Sequence, residues 1–201
     1  MTIAKGRAWG RPEPLPANGV VVHSDAEARA VVEAARGAGA ALPCLGLLGG
    51  DLCTTLGGRG DQARLRAPEA VSFPIDVIRV CSRGTCHWFV AHLVAHNRMW
   101  TRTTGVMNAA WLGRWNPAPR AHPNDGLVDV VEARLRPGDL RAVRSRLAQG
   151  AHLPHPRITT RRVPVVELDL RGMQVWLDGS RVDVGPRVEI VVEPDALTVV
   201  V

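Results

Sequence analysis

Leu42-Pro43-Cys44-Leu45-Gly46-Leu47-Leu48-Gly49-Gly50-Asp51-Leu52-Cys53 is the stretch on which the fold turns. Its opening apolar run, residues 42–48, has the composition of a buried parallel strand. Gly49 and Gly50 then allow a sharp turn, because glycine accepts positive φ and carries no Cβ to hold a ligand off. A strand that ends in Gly-Gly-Asp brings backbone N–H groups to where a nucleotide phosphate would lie. Gly49, Gly50 and Asp51 are therefore candidate nucleotide-binding residues.

Upstream, 19–23 is a short β-branched run, and Ser24-Asp25-Ala26-Glu27 has the spacing of a capping box. A helix is predicted over 25–36, stopped by Gly37 and Gly39. Strand, helix, strand and glycine turn within about fifty residues make an α/β unit.

From about residue 71 the pattern changes to β-branched runs broken by turn signals, which predicts antiparallel sheet. Strands are expected at 75–80, 87–95, 105–112, 127–133, 163–170, 174–177, 188–192 and 197–201, the last two forming a hairpin around Glu193-Pro194-Asp195-Ala196. One helix interrupts them. Pro137-Gly138-Asp139 opens it, and Leu140, Val143 and Leu147 mark its apolar face, with arginines elsewhere.

Several of these segments resemble the diacylglycerol kinase-like lipid kinases, a group that takes in the diacylglycerol, sphingosine and NAD kinases. Those enzymes carry Gly-Gly-Asp-Gly-Thr where this chain has Gly49-Gly50-Asp51-Leu52-Cys53. The run from Gly58 through Gly60 and Asp61 to Arg64 is similar to their Gly-Thr-Gly-Asn-Asp-Phe-Ala-Arg segment, and Ile75-Asp76 to the Ile-Asp-Leu that opens their second domain. Asn116-Pro117-Ala118-Pro119-Arg120 with Asn124-Asp125-Gly126-Leu127-Val128-Asp129-Val130 resembles their Asn-Ala-Pro and Asp-Asp-Gly-Leu-Leu-Asp-Val signature. Val175-Trp176-Leu177-Asp178-Gly179 resembles their Ile-Asp-Gly-Glu hairpin, and Glu193 to Leu197 their closing turn.

The resemblance implies an α+β fold, with a truncated α/β nucleotide-domain remnant over 1–65 and an antiparallel β-sandwich-like domain over 66–201. It implies ATP as phosphoryl donor, held by Gly49, Gly50, Asp51, Gly58, Gly60 and Asp61, and Mg2+ held by Asp125 and Asp129, whose carboxylate oxygens suit a hard cation. The departures bear on activity. Few residues separate Asp51 from Gly58, where the family has a further helix and strand, so the cleft is expected to be reduced. Leu52 is expected to crowd the phosphate position, and Cys53 replaces a hydroxyl with a weak donor. Ser180 occupies the position of the family's general base, and serine cannot deprotonate an alcohol unaided, so no catalytic residue is assigned. Asn124-Asp125-Gly126 also reads simply as a turn into a strand, with Asp125 supporting the turn and Asp129 exposed.

Phosphoryl transfer needs phosphate cradling, metal and acceptor positioning together. The expected function is that of a lipid kinase relative with weak or lost catalysis. The alternative is a non-catalytic binding or assembly module for an acidic lipid or a protein partner.

The 201 residues are 46% hydrophobic and 22% charged, the composition of a chain that folds. No apolar run approaches a membrane span, and the opening MTIAKGRAWGRPEPLP lacks the apolar stretch of a secretory signal. A cytoplasmic protein is expected, peripheral to the membrane if its basic surface meets anionic lipid. The formal charge of +6 is carried almost wholly by arginine, Lys5 being the only lysine. Basic runs stay as short as that around Arg161-Arg162 and lack interleaved aromatics, so nucleic acid is not an expected partner.

Cys44, Cys53, Cys81 and Cys86 show no framework spacing and are expected as reduced thiols. Cys81, Cys86, His92 and His96 have the ligand types of a zinc site without its usual spacing. His152 and His155 read as loop residues. Trp100, Trp111 and Trp115 lie around a Gly/Asn-rich stretch and are candidates to line a pocket at the domain junction. Trimming the α/β layer would leave faces for a second copy to cover, so a homo-oligomer is expected.

Overall fold

The computed structural model describes residues 9–201. Its strands are β1 (Arg11–Pro12), β2 (Val20–Val22), β3 (Leu45–Leu47), β4 (Val71–Ser82), β5 (Thr85–Phe89), β6 (His92–His96), β7 (Arg102–Met107), β8 (Val128–Arg134), β9 (Ile158–Val163), β10 (Val165–Asp169), β11 (Gln174–Leu177), β12 (Ser180–Val182) and β13 (Arg187–Val200). The helices are α1 (Asp25–Gly37), α2 (Gly50–Thr55) and α3 (Pro137–Leu147), with a 3-10 turn at Arg64–Arg66.

Two sheets carry the α+β fold. The first runs β1-β4-β13-β3-β2, with β5 on β4 and β10 on β13. The second runs β12-β11-β6-β7-β8-β9. Their inner faces bury Ile78, Phe89, Leu93, Val130, Leu177 and Ile190 in one core. A second core, under α1 and α2, joins Val32, Leu45, Leu52, Ile75 and Val199.

The N-terminal unit forms as its sequence dictates. Ser24 Oγ accepts the Glu27 amide at 3.2 Å, meeting one orphan donor of α1, and the Glu27 carboxylate accepts the His23 amide just before the cap at 2.8 Å. β2 and β3 pair in parallel, and β3 pairs in parallel with the end of β13 at Val199 and Val200. One sheet therefore continues across residue 65 from the α/β segment into the β-rich segment.

The expected C-terminal hairpin is not there. Residues 187–200 form one strand that stays antiparallel to β4, with a register shift between Glu193 and Leu197. Asp195 takes a φ of +53° at this bulge, and its amide donates to the Asp76 carboxylate at 3.0 Å. A partner far away in sequence thus turns an apparent turn into a bulge.

Two other expected strands are each split. The run 87–95 passes from β5 in the first sheet to β6 in the second. At the switch, Asp178 accepts the amides of Val90, Ala91 and His92 at 2.8, 2.9 and 3.0 Å, and Asn108 Nδ2 donates to the Val90 carbonyl at 2.7 Å. The run 163–170 breaks at Pro164 into β9 and β10, which lie in different sheets. Proline has no N–H for the ladder, which suits this crossing point.

The cysteines also differ from expectation. Cys81 and Cys86 face each other across the β4–β5 hairpin, Cα to Cα 4.1 Å, and are joined by a disulfide. A hairpin supplies the juxtaposition that spacing alone does not advertise. Cys44 and Cys53 are free thiols, and burial raises the pKa of each. Among the described residues no helix is long and apolar enough to cross a membrane.

Candidate functional site

The Gly-Gly-Asp turn leads into α2, a short helix in the stretch between Asp51 and Gly58 where none was expected, and its amides are already taken. The Asp25 carboxylate, from the first turn of α1, accepts Asp51 N–H at 2.6 Å and Leu52 N–H at 3.1 Å. Gly49 supplies no side-chain cap. Asp25 therefore caps α2 across space, and it is itself buried.

The glycines are accounted for by the same joint. Gly50 has a φ of +95°, and a Cβ there would stand 2.4 Å from an Asp25 carboxylate oxygen. A Cβ on Gly49 would meet the His23 carbonyl at 2.5 Å. Both positions are needed for the close approach of two chain segments, whether or not any ligand binds.

The Asp51 side chain faces the other way. One oxygen accepts from His92 Nε2 at 2.8 Å and the other from the Gly113 amide at 2.7 Å. Asp25, Asp51 and His92 are, among the described residues, the one His/Cys/Asp/Glu group close enough to share an ion.

Burial works on the charges in this group. It raises the Asp25 pKa, an effect that the Asp51 and Leu52 amides and then His92 partly offset. Burial likewise pushes Asp178 up to about 6 against the pull of His92. For His92 burial alone would lower the pKa. The Asp51 hydrogen bond and the charges of Asp178, Asp51 and Asp25 outweigh it and hold the imidazolium above its ordinary value.

The other expected nucleotide residues also have structural work. Leu52 does not crowd a phosphate: its side chain is wholly buried in the core under α1. Cys53 Sγ donates to the Leu47 carbonyl at 3.5 Å. A Cβ on Gly58 would meet Cys53 Sγ at 2.5 Å, and one on Gly60 the Leu48 carbonyl at 2.6 Å. Asp61 Oδ1 accepts the Ala63 amide at 3.0 Å, a local turn.

Asp125 and Asp129, expected to hold Mg2+, converge on Arg162. Its Nε donates to Asp129 at 3.1 Å and its Nη2 to Asp125. Asp125 also accepts the Leu127 amide at 3.0 Å, the turn reading of this loop, while Asp129 is buried rather than exposed. A guanidinium thus occupies the space between the carboxylates and neutralises them, so this pair does not fit a divalent cation. The α2 amides, filled by Asp25, do not fit a nucleotide phosphate. Ser180 begins β12, paired with Leu177.

The metal ligands weighed at 81, 86, 92 and 96 do not assemble. Cys81 and Cys86 bond to each other, His92 serves Asp51, and His96 lies stacked between Trp100 and Trp176, with centroids at 3.4 and 4.5 Å.

An apolar binding space lies elsewhere. A cavity of about 470 Å3 lies between the β6–β9 face of the second sheet and α3. Leu140, Val143 and Leu147 of α3, Met107 and Val131 of the sheet, and Trp115 help to line it. This is the apolar helix face predicted from sequence, here turned toward a cavity. Trp100 and Trp115 of the expected tryptophan cluster line it too, but Trp111 does not, and the cavity lies within the β-rich segment rather than at the domain junction.

One polar side chain stands out in that lining. His152, 3% exposed, makes no hydrogen bond of full geometry at either ring nitrogen, with the Pro117 carbonyl a weak acceptor beside it. Burial lowers its pKa, opposed in part by the nearby Pro117 backbone carbonyl, so the neutral imidazole is favoured. Sequence reading took it for a loop histidine, and no local signal gave its burial.

The fold and these residues define a class, the β-sandwich of the diacylglycerol kinase-like lipid kinases. A family model, the YegS C-terminal NAD kinase beta sandwich-like domain, matches residues 62–201, and the chain belongs to that family. Two solved structures from Bacillus anthracis strain Sterne, assigned as diacylglycerol kinases, are similar in fold. One aligns with a TM-score of 0.65 at 14% identity, over 90% of this chain and 77% of that one. The other aligns with a TM-score of 0.59 at 15% identity, over 90% and 75%. Among curated proteins none matches the sequence.

Proposed function

We propose that this chain is a lipid kinase relative that holds an amphiphilic lipid without transferring phosphate to it. The carrying observation is the 470 Å3 apolar cavity with the buried, weakly bonded His152 in its wall. Its size falls in the range of small-molecule sites, about 300–1,000 Å3, where a few polar groups set orientation within apolar walls. A neutral imidazole presents one N–H and one lone pair. It would meet a hydroxyl or carbonyl on an otherwise apolar chain. Arg144, whose guanidinium carbon sits 5.0 Å over the Trp115 ring, is placed to meet an acidic headgroup.

Loss of catalysis is supported by the α2 amides given to Asp25 and by Arg162 lying between Asp125 and Asp129. Phosphate cradle and metal loop have each become a structural joint. Ser180 in the place of the general base points the same way.

Native mass spectrometry after incubation with monoacylglycerols and fatty acids of graded chain length tests this reading. A one-to-one adduct, lost in Gly105→Leu, is expected, because a side chain at Gly105 would project into the cavity. No adduct at any chain length, or an adduct indifferent to Gly105→Leu, would overturn it.

A further inference from the structure

The tip of the β6–β7 hairpin exposes two large apolar side chains next to each other, Met99 at 65% and Trp100 at 46%. Both also line the cavity, so they form part of its mouth. Trp100 holds a φ of +58°, uncommon for a bulky residue, and stacks on His96. An apolar tip held out in this way conflicts with water unless something apolar covers it.

The surroundings indicate what covers it. Arg98 and Arg102 flank the tip. Arg102, tied to the Asp169 and Arg171 carbonyls at 2.8 and 3.1 Å, and Arg134 opposite it in the β7–β8 register face away from the cavity, while the Leu135 amide donates to the Thr101 carbonyl at 2.7 Å, which sets Arg136 beside the tip. Arg141 and Arg144 are exposed on α3, whose apolar face roofs the cavity. The nearby carboxylates are matched by other arginines, Asp139 by Arg157, Asp169 by Arg171 and Glu132 by Arg161. An apolar tip ringed by arginines suits the headgroup zone of an anionic bilayer, where tryptophan favours the interface and each cation adds attraction.

We propose that the protein docks on an anionic phospholipid surface through Met99 and Trp100 and the arginines around them, with the cavity mouth turned toward the lipid. The inference rests on the amphiphile reading of that cavity and names the surface from which the amphiphile is drawn.

Co-sedimentation with phosphatidylcholine vesicles, with and without phosphatidylglycerol, tests it at low and at raised salt. Binding is expected only with phosphatidylglycerol, and it should weaken as salt rises. The double variant Arg98→Glu/Arg136→Glu, which replaces no cavity-lining residue, should bind these vesicles at least tenfold more weakly and keep its monoacylglycerol adduct in native mass spectrometry. Met99→Asp should also lose at least tenfold. Vesicle binding with these dependences but no adduct in the parent protein would keep the docking surface and discard the cavity reading. Equal binding by parent and variants would overturn the proposal. So would indifference to phosphatidylglycerol, or a dimer by light scattering that Met99→Asp dissociates, since a second copy would then cover the tip.

Discussion

The Asp25 carboxylate meets the Asp51 amide at 2.6 Å, its other oxygen taking the Leu52 amide at 3.1 Å. This contact spans two helices whose starts are 25 residues apart and fills a helix N-terminus with an anion from the same chain. Asp51 in turn binds His92 through its side chain, so α1, α2 and β6 meet at one buried knot of charge. The geometry that would cradle a phosphate serves here as a joint.

Removing the carboxylate tests the joint. Asp25→Ala leaves two amides without an acceptor and takes a negative charge from beside His92, a loss of about 2–4 kcal/mol. Asp25→Asn, which keeps one oxygen acceptor, should lose less. Urea denaturation measures both. Equal stability of Asp25→Ala and parent would remove the joint from the account.

The pH dependence follows from His92. Its folded pKa stands above the ordinary value, so its contribution is complete below about pH 6.5 and is lost as pH rises through the folded pKa. Asp178, raised to about 6, acts in the same direction, losing its contribution between about pH 4 and 6. His122 and His152, both lowered by burial, act oppositely, so the difference between parent and variant is the quantity to read. Thermal melts of the parent and His92→Gln should show the parent's advantage shrinking above about pH 6.5, by at most ~1.4 kcal/mol per pH unit per proton. A constant gap from pH 5 to pH 9 would contradict the assignment.

Arg162→Ala should destabilise by about 1–3 kcal/mol at neutral pH, because it strands two partly buried carboxylates. Without the guanidinium, the folded-state pKa of Asp129, which burial already raises and Arg162 holds down, rises further. The deficit should therefore narrow as pH falls through the carboxylate range. Melting curves at pH 7 and pH 4 measure this.

His152→Leu should leave the protein as stable as the parent or more so, since it removes a buried imidazole that makes no hydrogen bond of full geometry. The same change should weaken binding of hydroxyl-bearing amphiphiles while sparing plain alkyl chains of equal length. Melting temperature and competitive native mass spectrometry separate the two effects. A large loss of stability would show that His152 serves the fold.

Thiol counting checks the hairpin disulfide. Under denaturant two thiols, Cys44 and Cys53, should react before reduction and four after. Four before reduction would contradict the bridge.

The fold was legible in the sequence where local pattern decides it. The Ser24 cap, α1, the parallel pair β2 and β3, and the apolar face of α3 all follow from spacing. The motifs that carry the family resemblance turn out to be staples of the sandwich. The Asp76 carboxylate ties Gly126 to Asp195, and Asp178 braces the switch between sheets. That is why the fold could be read from them while the activity could not. What escaped depended on partners distant in sequence. Asp25 read only as part of the Ser24–Glu27 capping-box spacing, His92 as one of four residues with zinc-ligand chemistry but not its spacing, and Arg162 as part of a short basic run. Nothing local marks the first two as a pair on Asp51, or the third as the counter-ion of two loop carboxylates.

Calorimetric titration of the protein with ATP in the presence of Mg2+ tests the central claim most directly. With the α2 amides held by Asp25 and the acidic loop held by Arg162, no binding heat is expected up to millimolar ATP. Micromolar affinity that is lost in Asp51→Ala would contradict the account and restore the glycine turn as a working nucleotide site.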